Sequence, residues 1–466
     1  MAINDVTSKA LGITLQIYFE EGFTSLVNND VEDFKSIEAI SATDGAAARE
    51  IRFAVEPARQ PSNVQMVDPG NANAPLINGF YDAIVERTAK AKQLEVVAEF
   101  DLDVYNRAKM DPSLVYIGPM QLALYNKMVS AKESLVKQFY GDGTGVQGTI
   151  LGTPTVNAGV MTITLLNTSA ALGCIYWIQE QQHLVAASTA GAVHQPTVTS
   201  GTPAYLKVTA VDYANKTISV MAYDASDVAL NITAVNTVAT TNILFNYSDI
   251  ANITTLPDTT SVADYGALLY MPGLQSLGAD DGRTVHGVAL SGNYAGTVVD
   301  KGGAVLQFPV FSELANKLDR RVGRGKYIYN NLRCSYDAWD FMVNMDAGNQ
   351  YLKPVENIHG GKEYMFQRKN MAMVLDSHRF VPDFNIWAEP SLKDPMAAQG
   401  VTRTAPLQFK FTGFEYIKEP ESDAIFRLKL VNGQRTRVVQ CEMQTFGTFI
   451  ATQNAAIGSI KNFTLG

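Results

Sequence analysis

Ile117, Met120, Leu124, Met128, Ala131, Leu135 and Phe139 recur at spacings of 3, 4, 4, 3, 4 and 4. That period places them on one stripe of an α-helix. Pro119 at the first turn and Gly141 just past the last predict a helix over 119–140. Its length would be ~33 Å, and its stripe reads as a core-facing surface.

Ahead of the helix the pattern is extended. Ile51, Phe53 and Val55 alternate with Arg52 and Ala54, the period of a strand. A loop rich in Pro, Asn and Gly follows from Pro57 to Gly79. It exceeds the ~12–15 residues usual for a structureless connection, which marks it as functional. Ile84 to Phe100 reads as the return segment of a long hairpin, alternating less cleanly. Two strands exposed on both faces need a partner surface. Residues 1–45 carry apolar positions at Ile13, Leu15, Ile17, Tyr18 and Phe23, broken by Asn28-Asn29-Asp30. That arm is too short to bury a core of its own and is expected to lie on something else.

Beyond the helix, residues 150–249 are rich in Thr, Val, Ala and Asn and nearly free of charge. Val160–Leu165 reads as a strand. Tyr205–Val211 and Thr217–Tyr223 read as a hairpin about the turn Asp212-Tyr213-Ala214-Asn215-Lys216. A β-domain of about 100 residues is expected. Further on, Phe311, Leu314, Leu318 and Val322 have helical spacing, and Tyr336–Met345 reads as a second helix there. Short strands are expected at 327–329, 364–366, 372–375 and 385–387, and long antiparallel strands in the tail from Gln408. The fold class is α+β with an added β-rich domain.

Composition sharpens this. The 466 residues are 46% hydrophobic and 9% aromatic, which excludes wholesale disorder. Charged residues are 18%, against ~25% in ordinary globular proteins. Such a surface suits a chain that spends much of it on copies of itself. Lys plus Arg number 37 and Asp plus Glu 46, so the net charge of −9 argues against a typical nucleic-acid binder. No signal peptide or membrane-spanning run is expected, and the six Asn-x-Ser/Thr sequences read as chance matches. Cys174, Cys334 and Cys441 have neither disulfide nor zinc-ligand spacing. The reducing cytosol of the producing cell is the expected compartment.

Several motifs invite a catalytic reading and fall short of it. Gly143-Thr144-Gly145-Val146-Gln147-Gly148 matches a dinucleotide fingerprint, but follows a helix and opens a β region, where the fingerprint needs the reverse. It reads better as a glycine-rich helix stop. Gly323-Arg324-Gly325-Lys326 lacks the Ser/Thr of a phosphate loop, since Tyr327 stands there. His183, His194, His286, His359 and His378 show no metal-binding or nucleophile-activating spacing. Asp101 and Asp103 could share a strand face, but Tyr105 stands where a calcium loop needs its third ligand. Arg320, Arg321, Arg324 and Lys326 form a local basic patch that reads as solvated or facing DNA or a neighbour. No catalytic, cofactor-binding or metal-ligating residues are assigned, and no cofactor and no enzymatic activity are expected.

The order of parts carries a resemblance. An arm, a long hairpin, a long helix closing at Tyr140-Gly141-Asp142-Gly143-Thr144-Gly145, a β insertion, a mixed domain and long C-terminal strands follow one another. Local stretches add to it. They are Tyr205–Asp212 with Asn215–Ile218; Pro272-Gly273-Leu274; Thr284–Val288; Gly360–Tyr364; Met371–Asp376; Phe384–Trp387; and Gln444–Gly447. Together these resemble the major capsid proteins of tailed bacteriophages, with the Hong Kong 97-type fold.

The resemblance implies an N-terminal arm (1–45), an extended hairpin (46–105), and a peripheral domain with the spine helix (106–149). A β-rich insertion (150–250), an axial domain (251–400) and returning C-terminal strands (401–466) complete it. It implies a subunit that assembles into hexamers and pentamers of an icosahedral shell around double-stranded DNA, without sequence-specific contacts and without a membrane. Scaffold, portal and decoration proteins are the implied partners. With no charged scaffold segment ahead of the arm, a separate scaffold is expected. The location implied is the virion capsid, assembled in the bacterial cytoplasm. An encapsulin-like compartment shell, a tail or baseplate protein, and a β-rich hydrolase stand as alternatives.

Overall fold

The computed structural model describes residues 38–41, 50–58, 85–103, 106, 114–168, 170–250, 256, 258–323, 328–346, 352–356, 362–368, 371–391, 406–411, 415–416, 426–431 and 434–465. The chain divides into two compact units. One comprises Met1–Ile51, Ala89–Phe139 and Gln408–Ile450; the other comprises Arg52–Thr88, Tyr140–Leu407 and Ala451–Gly466.

In the first unit an 18-residue strand, Gln434–Ala451, pairs antiparallel with Lys92–Asp101. The register sets Phe100 opposite Val439, Ala98 opposite Cys441 and Val96 opposite Met443. All six side chains are buried, so alternation on both strands builds one continuous apolar face. Leu407–Phe411 joins the same sheet, with Glu38–Ser41 parallel to it at the edge. The long helix, Leu114–Tyr140, brings Phe139 to this sheet: its ring lies 5.3 Å from Phe449, which lies 4.9 Å from Phe409. Ala131, Leu135 and Phe139 of the stripe are buried.

Two sequence expectations change here. The helix begins at Leu114 rather than Pro119, so the proline sits inside it and the helix is ~40 Å long. A proline within the first two turns loses one backbone bond without ending the helix. The hairpin return over Ile84–Phe100 is two strands with different partners. Val85–Lys90 pairs with Glu50–Val55, whereas Lys92–Asp101 leaves for the long C-terminal strand. The blurred alternation near Ala91 is where the chain changes sheets.

In the second unit six strands close on themselves. Tyr205–Asp212 pairs with Thr217–Tyr223, then come Val160–Leu165, Val146–Asn157, Ile243–Asn246 and His183–Ala187. The last pairs back with Tyr205–Asp212, with Leu184 opposite Leu206. All pairings are antiparallel, so the expected β-domain is a closed barrel with no free edge between these strands. Met161, Ile163, Leu165, Leu206, Val208, Ile218 and Val220 fill the interior at period 2.

The same unit holds a seven-stranded mixed sheet. Its order is Thr297–Asp300, Gly458–Lys461, Asn385–Ser391, Ile328–Cys334, Met371–Ser377, Lys362–Arg368 and Leu352–Glu356. The helix Pro309–Val322 covers one face with Phe311, Leu314, Leu318 and Val322, packing with Leu332, Ile386 and Ile460. Gly458 permits the approach: a Cβ there would lie 3.1 Å from Leu318. The opposite face is polar. Arg333 and Glu389 are 2% and 1% exposed, with Arg333 paired to both Asp376 and Glu389.

Candidate functional site

The glycine-rich stretch after the long helix is a built turn. The Asp142 carboxylate accepts from the Thr144 amide at 2.9 Å and the Thr144 hydroxyl at 2.5 Å. The Ser276 hydroxyl donates to the Asp142 carbonyl at 2.5 Å. Gly143 and Gly145 take φ of +90° and +81°, a region that side chains disfavour. A Cβ at Gly145 would stand 2.0 Å from the Tyr270 ring. The turn feeds Val146–Asn157, a strand of the barrel, so it stops a helix.

A polar knot joins the barrel to the mixed-sheet region of the same unit. Lys216 ends the turn between two barrel strands and takes φ +54°. Its ammonium lies 2.9 Å from Asp383 Oδ2, 3.1 Å from Asp337 Oδ2 and 2.6 Å from the Tyr176 hydroxyl. Three N–H donors thus meet three oxygens. The Tyr176 hydroxyl is also within 3.0 Å of Asp383 Oδ1, and the Asn167 amide donates to Asp383 Oδ2 at 3.0 Å. Nearby, the Trp177 indole donates to the Phe380 carbonyl at 2.8 Å.

Burial by itself would lower the Lys216 pKa, but Asp383 and Asp337 outweigh it and hold it above the ordinary value. Burial, then the same two carboxylates, push the Tyr176 phenol up. Lys216 entered the sequence reading only as a turn residue. With Lys207 in the same nearly uncharged stretch, it carried no signal of its own that would have singled it out.

The two-stranded ribbon of Glu50–Val55 and Val85–Lys90 is fastened at its base. Phe53 meets His286 edge-on, centroids 5.8 Å apart. The Glu56 amide donates to the Thr452 carbonyl at 2.6 Å, and the Ala58 amide to the Asn293 carbonyl at 2.6 Å. Gln453 Nε2 donates to the Pro57 carbonyl at 2.9 Å. Asp264 receives the backbone amides of His286 and Gly287 at 2.9 and 2.7 Å, setting the loop on which Phe53 rests. Pro57 and Ala58 therefore belong to the anchored base. The rest of the loop from Pro57 to Gly79, and almost all of the arm, lie outside the described residues.

The remaining candidates have structural partners. Asp101 accepts from the Asp103 amide at 2.7 Å, forming a local turn at the strand end and not a two-carboxylate strand face. Outside those candidates, Asp281 holds Arg283 through both carboxylate oxygens. Arg321 leaves the expected basic patch: it donates to the carbonyls of Gly296, Gly292 and Ala295 at 2.7–2.9 Å, gathering a loop. Arg324 and Lys326 lie outside the described residues, as does His359. His183 stacks on Tyr205 at 4.4 Å, His194 meets Asn242 at 3.0 Å, and His378 packs against Tyr140 at 5.3 Å. The three cysteines are buried and form no disulfide with one another; burial pushes the Cys441 thiol up to about 12. Among the described residues, no group of three His, Cys, Asp or Glu side chains is placed to hold a metal. No described helix is long and apolar enough to cross a membrane.

No protein-family model matches the chain, and no curated protein matches it by sequence. Among solved structures it is similar to a chain of Mycobacterium phage Patience, at 9% identity and a TM-score of 0.34, covering 99% of this chain and 89% of that one. It is similar to a chain of the capsid asymmetric unit of cyanophage A-1(L), at 10% identity and a TM-score of 0.43, covering 94% of each. A third is from the procapsid of satellite phage P4 including its size determination (Sid) protein, at 7% identity and a TM-score of 0.36, covering 99% of this chain and 98% of that one. These structural neighbours are phage structures, a capsid and a procapsid among them, and at TM-scores below 0.5 they assign the chain to no family.

Proposed function

We propose that the chain is the structural subunit of a tailed-phage capsid with the Hong Kong 97-type architecture. The observation that carries this reading is how the chain is interleaved. Three segments far apart in sequence, ending in Ile51, Phe139 and Ile450, make one compact unit, and the chain between them makes another. A long helix on a sheet with an 18-residue strand in one unit, and a mixed sheet in the other, is the division that the sequence resemblance implies between peripheral and axial domains.

In this reading the helix (within 106–149) and the tail strands up to Ile450 form the peripheral domain, and 251–400 with the last segment, Ala451–Gly466, form the axial domain. The closed barrel (150–250) is an insertion. The ribbon, with its tip between Ala58 and Val85, laps a neighbouring subunit, and the arm (1–45) reaches across another. Hexamers and pentamers arise by repetition of such contacts until the lattice closes. Packaged DNA needs no grip from an acidic subunit, because counterions accompany it.

Sedimentation of the expressed chain, alone and with its scaffold, tests this. Particles far heavier than the 50.7 kDa subunit are expected. A species that stays at subunit mass with scaffold present overturns the reading.

A further inference from the structure

The polar face of the mixed sheet carries a pocket with which no assembly role has been connected. Asn385 and Trp387 project from one strand, Ser459 and Lys461 from its antiparallel neighbour. The register sets Asn385 opposite Lys461 and Trp387 opposite Ser459, a block of four side chains on one face. They line a cavity of about 120 Å³, walled also by Asp281, Arg283 and Asp142. A single water needs only ~10–15 Å³ of such space, so the pocket has room for a small ion or molecule.

Its uncommitted groups are mainly donors. The Asn385 carboxamide and the Ser459 hydroxyl belong to residues only 7% and 2% exposed that line the cavity. Trp387 Nε1 is buried without a partner. Among the described residues the Lys461 ammonium is in no ion pair at contact distance, although its charge helps to lower the pKa values of Asp281 and Asp300. The carboxylates on the wall are occupied: Asp281 holds Arg283 at 2.6 Å, and Asp142 holds Thr144. Arg283 is also fixed over the Tyr265 ring at 4.4 Å. Asn385, Ser459 and Lys461 line the cavity, where one acceptor-rich guest can receive their N–H and O–H groups. A cation would meet Lys461, and an apolar guest would leave the donors stranded.

We propose that this pocket binds a small oxyanion of the phosphate or carboxylate type, with Lys461 supplying the charge and Ser459 and Asn385 the orienting hydrogen bonds. The test is isothermal titration of the full chain with inorganic phosphate and, separately, with acetate. Ionic strength is held constant with sodium chloride. Saturable binding of one or both ions below about 10 mM is expected, and the arms separate the two chemistries. Lys461→Met should weaken that binding about tenfold or more, and Ser459→Ala should weaken it if the lysine variant fails to fold. Lys301→Met, on the same sheet region but away from the pocket wall, should leave it unchanged. Absence of binding by either ion, or equal binding by wild type and the Lys461 and Ser459 variants, overturns the proposal.

Discussion

The Lys216 ammonium lies 2.9 Å from a carboxylate oxygen of Asp383, a residue 167 positions later, and so ties the turn of a barrel strand pair to the strand region of the mixed sheet. Lys216 is 16% exposed and Asp383 5%, while Asp337, the second carboxylate, is 53% exposed. The Asp383 contact is therefore the desolvated one, and the Asp337 contact is largely screened by solvent.

Breaking this pair from one side strands a buried charge. Lys216→Met leaves the Asp383 carboxylate uncompensated and should cost ~3–5 kcal/mol. Asp383→Ala leaves the lysine its exposed partner, so a smaller loss of ~2–3 kcal/mol is expected. The double variant Lys216→Met with Asp383→Ala should lose less than the sum of the singles. Urea unfolding of the four proteins measures this; additive losses would show that the two groups do not interact.

The same knot sets an alkaline limit. Lys216 and Tyr176 both have pKa values raised in the folded chain. The folded state then holds protons that the unfolded chain releases, so stability falls as pH rises. The contribution is fully present below the unfolded values of ~10 and is lost as pH climbs through the raised folded values. Thermal unfolding between about pH 8 and pH 11 should show a steeper loss in the wild type than in Lys216→Met. Parallel curves would contradict the assignment.

Gly145 is expected to tolerate no side chain. At φ +81° and with the Tyr270 ring 2.0 Å from a built Cβ, Gly145→Ala combines backbone strain with a clash. A loss on the order of 2–4 kcal/mol is expected. Gly152→Ala, at φ +72° with open space around it, isolates the backbone part and should cost ~1 kcal/mol. Equal losses at the two sites would refute the role of Tyr270.

Much of this was legible in the sequence, and the reasons are local. The stripe from Met120 to Phe139 and the alternation of Ile51, Phe53 and Val55 each follow from one period, and periods survive without tertiary context. The hairpin Tyr205–Tyr223 announced itself through Asp212 and Asn215 of its turn. Pairing was not legible. Nothing in Lys92–Asp101 indicates that its partner begins 333 residues beyond its end, at Gln434. Closure of the barrel rests on Leu184 meeting Leu206, two ordinary apolar residues. The knot was hidden for the same reason: Lys216, Asp337 and Asp383 are unremarkable singly and acquire meaning only when the fold brings them together.

The proposed lapping role of the ribbon makes a separable prediction. Pro57 and Ala58 are fastened to Gln453 and Asn293, so a fair deletion spares them and removes residues 60–79. The shortened chain should remain soluble, with stability within ~0.5 kcal/mol of the parent, because the anchored contacts of Pro57 and Ala58 are kept. Its yield of closed particles should collapse. Normal assembly by the deletion variant would remove the lapping role.

The central claim is that this chain builds a shell, and negative-stain electron microscopy of the chain expressed with its scaffold tests it most directly. Closed polyhedral particles, or sheets and rings of hexamers, are the expected result. Dispersed single subunits with the scaffold present would contradict it.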